Sequence, residues 1–288
     1  YAAAKGERPC ILTARNAHKA FINAAALLDI DIQWCYPETD TSYVSCHVSP
    51  EGIRQALHSC PQRVTAVYVT SPDYLGHMLD IRGIAEVCHQ AGALLQQAKA
   101  AMSLFGSSSP SYLFLQSLDA ANDRMMRFRD DLADLLPKAV ALKQRLSDHG
   151  YMLAGEEPLK VTVCPKSFGY TGTEIAATLE ENGAFPEFYD PDHVVLMLSP
   201  WNSDDDLVRL ERTLCSIPQR TPIILTPPPV PHPVRVMTPR QALFAVSERL
   251  PLEDCCGRIS AAAAISCPPA IPLVVCGERI DQQVIACL

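Results

Sequence analysis

CILTARNAHKAFINAAALLDIDIQWCY, from Cys10 to Tyr36, reads as strand, helix, strand, and its reading decides the fold. Cys10-Ile11-Leu12 is a short apolar run of the kind a buried strand carries. Asn16 stands where a helix N-cap is expected, and Phe21, Ala24, Ala25 and Leu28 follow at helical spacing. Ile32 to Tyr36 is apolar and β-rich again. Downstream the same alternation continues. Ser49-Pro50 predicts a cap with proline at the first helical position, and Ile53, Ala56 and Leu57 form the inner face. Val64 to Thr70 is the next strand. Asp80 caps a helix carrying Ile81, Ile84, Ala85 and Val87; Gly92 ends it before a strand at Ala93-Leu94-Leu95. Such alternation implies a parallel sheet with right-handed crossovers, whose ligands sit beyond the carboxyl ends of the strands. Thr70-Ser71 and the residues after Leu95 are therefore where chemistry is expected.

Further along, Gln96 to about Gly150 reads as helical, with a fresh start at Ser109-Pro110 and an interruption at Pro137. Near Tyr151 the rhythm changes. Strands at Val161-Cys164 and Val194-Ser199 flank a helix that opens on Thr171 and Glu174 in capping-box spacing and closes at Gly183. Ser203 caps a helix whose first turn is Asp204-Asp205-Asp206, a placement that suits the helix dipole. Seven prolines between Pro218 and Pro233 make a stiff linker, and Thr238-Pro239-Arg240-Gln241 starts another capped helix. The expected division is 1–150, a small α/β domain at 151–217, the linker at 218–234 and a C-terminal domain at 235–288.

Composition narrows the function classes. A chain of 288 residues, 48% hydrophobic and 19% charged, suits an ordinary globular protein. The formal net charge of −8 argues against nucleic acid as a partner. No apolar run is long enough to span a bilayer, and no signal peptide opens the chain. The twelve cysteines are scattered without a CxxC pair, and Cys255-Cys256 are adjacent. They read as reduced thiols in a cytoplasmic protein.

Five stretches, in order, carry a family resemblance. They are ARNAHKAFINA (14–24), VTSPDYLGHMLDIRGIAEVCH (69–89), FGSSSPSYLFLQSLDAA (105–121), GYTGTEIAATLEENGAFPEFYDPDHVVLMLSPWN (169–202), and a tail with ERLPLEDCCGRISA and CPPAIPLVVCGE (248–278). Together they resemble the Orn/Lys/Arg decarboxylases, fold-type-I enzymes that use pyridoxal 5'-phosphate (PLP). The resemblance implies an α/β fold: a partial large domain with a mostly parallel sheet and flanking helices, a small α/β domain, and a C-terminal α+β domain. It implies decarboxylation of ornithine, lysine or arginine, polyamine metabolism and a homodimer. It also places His18 against the cofactor ring, and Ser108 and Ser109 near the phosphate of the partner subunit's cofactor. Physical chemistry is compatible with both, because a helix N-terminus disfavours a protonated imidazole and favours a phosphate. Ser71, with Thr70 and Tyr74, either faces the ligand or simply builds a turn around Ser71-Pro72-Asp73.

The same resemblance defines a gap. In this family the strand matching Ala93-Leu95 runs into a motif whose aspartate keeps the pyridine nitrogen protonated, and a Ser-x-His-Lys motif supplies the Schiff-base lysine. Here Leu95 is followed by Gln96-Gln97-Ala98-Lys99, which resembles the family only after several dozen residues are skipped. The seven lysines are Lys5, Lys19, Lys99, Lys138, Lys143, Lys160 and Lys166; only Lys19 follows a histidine, in the ring-stacking motif. The family's N-terminal helices and glycine-rich phosphate turn are also expected to be missing, and Ala270 and Cys276 stand where glycine and proline are usual. A natural deletion, a misread gene, or residues removed before numbering would each produce this pattern. No catalytic residue is assigned. Either a decarboxylase without turnover, or a non-catalytic module that pairs with a complete homologue, fits these residues.

Overall fold

The computed structural model describes residues 8–37, 42, 44–92, 111–225, 230–262 and 271–287. The chain divides into two compact units. The first joins Tyr1–Leu95 to Leu225–Leu288, and the second is Gln96–Ile224.

In the first unit, β1 (Cys10–Ala14) lies between β2 (Asp31–Cys35) and β3 (Val64–Tyr68), and both pairings are parallel. The expected βαβ reading holds, and the connections are α1 (Lys19–Leu27) and α2 (Pro50–Ser59), with α3 (Ile81–Gln90) following β3. Two of the three helix starts lie where the caps predicted. Ser49 accepts from the Gly52 amide at 3.1 Å and Asp80 from the Gly83 amide at 2.9 Å. The third differs. His18, not Asn16, caps α1, because Arg15 donates its amide to the Cys35 carbonyl (3.1 Å) and carries the turn past the strand end before the helix begins. One core cluster gathers Leu12, Val48, Ile53, Ile84 and Val87, which are the apolar stripes of α2 and α3 closed against the sheet.

The second unit is antiparallel, with strand order β4 (Met152–Ala154), β5 (Lys160–Cys164), β7 (Val194–Met197), β6 (Phe188–Tyr189). Three helices cover it: α4 (Tyr112–His149), α5 (Gly172–Glu181) and α6 (Asp204–Cys215). Capping boxes form at Thr171/Glu174 and at Ser203/Asp206, as the spacing predicts. Pro137 does not interrupt the helix. It sits inside a continuous 38-residue α4. Its missing N–H forfeits one helical bond, but Leu135, Ala139, Leu142 and Leu146 on that stretch are buried in the unit's core, and their packing outweighs the loss.

The C-terminal stretch returns to the first unit. Its described residues hold two short helices, α7 (Pro239–Leu243) and α8 (Gln282–Cys287), and two isolated antiparallel bridges, Arg235 to Glu278 and Ile259 to Arg279. Ala242, Val275 and Cys276 pack with Ile22, Ala25 and Ile32 in a second cluster. Residues 112–149 thus belong with the second unit and 235–288 with the first, which differs from the division expected from sequence. An amphipathic stripe reveals that a helix buries one face, but not which sheet receives it.

Candidate functional site

The carboxyl edge of the parallel sheet is where the fold offers a site. His18 follows β1 and Ser71 follows β3, the strand beside it, so both predicted residues come to this edge. His18 is exposed, and its Nδ1 accepts from the Ala20 amide at 3.1 Å. Ser71 has a local partner: its hydroxyl accepts from the Leu79 amide at 3.0 Å. Ser108 and Ser109 lie outside the described residues.

Around Ser71 the chain forms a stapled turn, entered through a cis Ser71-Pro72 bond. Asp73 is buried at 4% exposure. Its Oδ1 accepts from the Leu75 and His77 amides (3.0 and 2.9 Å), while Oδ2 meets Ser45 Oγ at 2.5 Å and His77 Nδ1 at 3.1 Å. Serine, histidine and aspartate side by side suggest a catalytic triad, but the geometry is wrong. Ser45 donates its hydroxyl hydrogen bond to the carboxylate, and both Ser45 and Asp73 address the same imidazole nitrogen, Nδ1 (3.3 and 3.1 Å). No base lies between nucleophile and orienting acid, as acyl transfer requires. The trio ties loops together.

A second arrangement escaped the sequence reading. Arg15, 6% exposed, lies directly after β1, and its guanidinium stacks over Trp34 on β2 at 4.5 Å. Nη1 donates to the Pro272 carbonyl (3.2 Å), and Nη2 to the Leu273 carbonyl (2.8 Å) and to Glu278 Oε2 (3.1 Å). Glu278 is fully buried, and its Oε1 accepts from Trp34 Nε1 at 2.9 Å. Burial pushes this carboxyl above its ordinary range, and Arg15, the Val275 amide and Trp34 oppose that rise. Beside the pair, Arg15 Nε and both polar atoms of the Asn16 amide are buried without a partner. Arg15 and Asn16 line a small open pocket with Ser42, Ser45, Pro272 and Leu273. Both motifs that meet here were quoted from sequence, but nothing local signals that they pair.

The side chains fit PLP only in part. An exposed imidazole at the sheet's carboxyl edge suits one face of a pyridinium ring. Among the described residues of the first unit, however, Lys19 is the only lysine, and it lies in α1 directly after the stacking histidine. In the second unit Lys138 bridges Asp134 and Asp204, Lys143 donates to the Glu157 carbonyl, and Lys166 pairs with Asp192. Burial raises the Cys10 thiol to about 12 and the Cys164 thiol to about 11. Among the described residues no cysteine forms a disulfide.

Comparison with known proteins places this architecture. A serine palmitoyltransferase described with PLP as an internal aldimine superposes with a TM-score of 0.57, 11% identity, over 72% of this chain and 66% of its own. The constitutive lysine decarboxylase of E. coli superposes with a TM-score of 0.71 at 15% identity, over 97% of this chain and 62% of that one. The fold is that of fold-type-I PLP enzymes. In sequence, an arginine decarboxylase of Bacillus subtilis (strain 168) is 25% identical over 352 aligned positions, covering 95% of this chain and 71% of the relative. Residues 227–288 match the model described as "Orn/Lys/Arg decarboxylase, C-terminal domain". Residues 227–288 thus match the C-terminal domain of the Orn/Lys/Arg decarboxylases, and the chain as a whole is similar to arginine decarboxylases at about a quarter identity. It spans less than two thirds of the lysine decarboxylase it resembles. No described helix is long and apolar enough to cross a membrane.

Proposed function

We propose that this chain keeps the frame of a PLP-dependent decarboxylase of basic amino acids and, as this polypeptide, does not turn over. The carrying observation is the lysine inventory. PLP chemistry of this class needs a lysine that forms a Schiff base, with the ring as electron sink. The lysines described are on α1 or in the second unit. A further support is the length of the match: an alignment of 352 positions is longer than the whole 288-residue chain, so the relative has residues with no counterpart here. We read that excess as a segment lost after Leu95. The substrate class, a cytoplasmic location and a role in polyamine metabolism follow only from kinship. The test is to mix the purified protein with PLP, record the visible spectrum, reduce with borohydride and map peptides. No stoichiometric lysine label is expected, and no carbon dioxide from arginine, lysine or ornithine. A specific label on Lys99 or Lys19 would overturn this reading.

A second reading, a non-catalytic module that forms a dimer with itself or a complete homologue, is favoured by α4. Its first turns expose Tyr112, Leu113, Phe114 and Leu118, at 60–85% of their surface. Apolar surface of this kind on one helix is typical of an interface.

A further inference from the structure

A buried ion pair is a poor source of net stability, because desolvating two charges offsets most of their attraction. Arg15 and Glu278 nevertheless lie buried together, 263 residues apart in sequence. The carboxylate is held from three places: Arg15 after β1, Trp34 on β2, and the Val275 amide of its own loop at 2.9 Å. The preceding residue fixes the approach. Gly277 has φ 93°, and a Cβ there would lie 2.4 Å from the Met237 carbonyl oxygen. The loop that delivers Glu278 therefore requires glycine.

On the other side of the pair, the β1–α1 turn is buried, and the Cys46 thiol accepts hydrogen bonds from the Arg15 and Asn16 amides. Arg15 donates its amide to Cys35, and Ala17 donates to the Ala14 carbonyl at 3.2 Å. Asn16 makes no side-chain hydrogen bond, and His18 begins the helix through its own imidazole. The Arg15 side chain adds the tie that joins the turn ending in His18 to the C-terminal segment. We propose that Arg15 and Glu278 are a positioning pair through which the C-terminal segment sets the conformation of residues 15–18 and hence the orientation of the His18 ring. The coupling stands on geometry alone. Only its meaning for a cofactor face rests on the function proposed above.

The experiment reads the turn, not activity. In the full chain carrying Glu278→Gln, the new amide group meets donors at Arg15 and Val275. Nitrogen-15 NMR should show a changed tautomer balance for the His18 imidazole, and the Ala20 amide should exchange at least about tenfold faster. His58 and His89, exposed on α2 and α3, serve as controls and should keep their signals. Trp34→Phe, which keeps a ring beneath Arg15 but removes the donor to Oε1, should move the same signals less. Glu278→Asp should recover part of the change. If the Gln variant does not fold, Trp34→Phe decides alone. Unchanged His18 signals and Ala20 exchange in the folded variants would overturn the proposal. Adding PLP to the wild-type chain tests the other reading separately: an unmoved His18 there would remove the cofactor face and leave the positioning pair intact.

Discussion

The two units hold themselves together by different means. The second is an apolar core with local terminators. Its largest cluster collects Leu142, Leu146, Val161, Phe168, Leu179 and Leu214 from three helices and the sheet, and two capping boxes close the helix starts. The first has smaller clusters and depends on polar ties from a distant piece of chain. Arg15 pairs with Glu278, Arg235 with Asp31, and Arg240 donates to the Leu27 carbonyl at 2.6 Å. Apolar packing is forgiving of small geometric change, whereas a buried charge tolerates no lost partner. The unit bearing the candidate site is therefore the more brittle one.

The largest expected effect comes from stranding a charge. Arg15→Met should destabilise the first unit by about 3–5 kcal/mol, because Glu278 is left buried and unpaired. The double variant Arg15→Met/Glu278→Leu should regain much of that loss, since replacing both partners by apolar groups removes the desolvation penalty. The two tryptophans report the units separately: Trp34 lies in the first and Trp201 in the second. Urea unfolding of a Trp201→Phe background, followed by fluorescence, isolates the first unit. A double variant as unstable as the single one would show that the ties contribute specific stability rather than mutual compensation.

Leu142→Ala supplies the matching test of the other unit. Leu142 is fully buried on α4, and its truncation should cost about 2–5 kcal/mol depending on how far the cavity collapses. The Trp34 transition should stay where it is. A shift of both transitions together would mean that the units unfold as one, and the comparison would then have to be abandoned.

What was legible in the sequence follows the same divide. Strands, helices and most caps were readable because period and cap chemistry are local: Ser49, Asp80, Thr171, Ser203 and Thr238 all cap as expected. Asn16 misled because a competing backbone bond to Cys35 lengthened the turn, and Pro137 because core packing overrode its missing donor. Of the candidate site residues, His18 follows β1 and Ser71 follows β3. The Arg15–Trp34–Glu278 cluster was not legible, since no periodicity links residues 263 apart. Resemblance flagged both motifs and could not pair them.

The smallest effect concerns the caps of the second unit. Thr171 accepts from the Glu174 amide at 3.3 Å, and Glu174 returns a bond to the Thr171 amide at 2.8 Å. Thr171→Ala should cost about 1 kcal/mol, a fraction of the Leu142 effect. Acid provides an independent check. The Thr171 amide and hydroxyl hold Glu174 below its ordinary value of 4.5, and the Ser203 amide and hydroxyl hold Asp206 below 3.8. A carboxylate depressed in the folded state contributes stability above its unfolded pKa, and that contribution is lost as pH falls through the folded value. The second unit should therefore weaken below about pH 4.5, and the Thr171→Ala variant should lose less over that range because its Glu174 is less depressed. Glu278 has the opposite sign, since its value is raised, so protonation there relieves a burial penalty in the first unit. Thermal melts between neutral pH and about pH 3, read separately in each unit, measure both slopes. Equal acid sensitivity of wild type and Thr171→Ala would show that the capping box is a feature of geometry without energetic weight, and the second unit's stability would then rest on its apolar core alone.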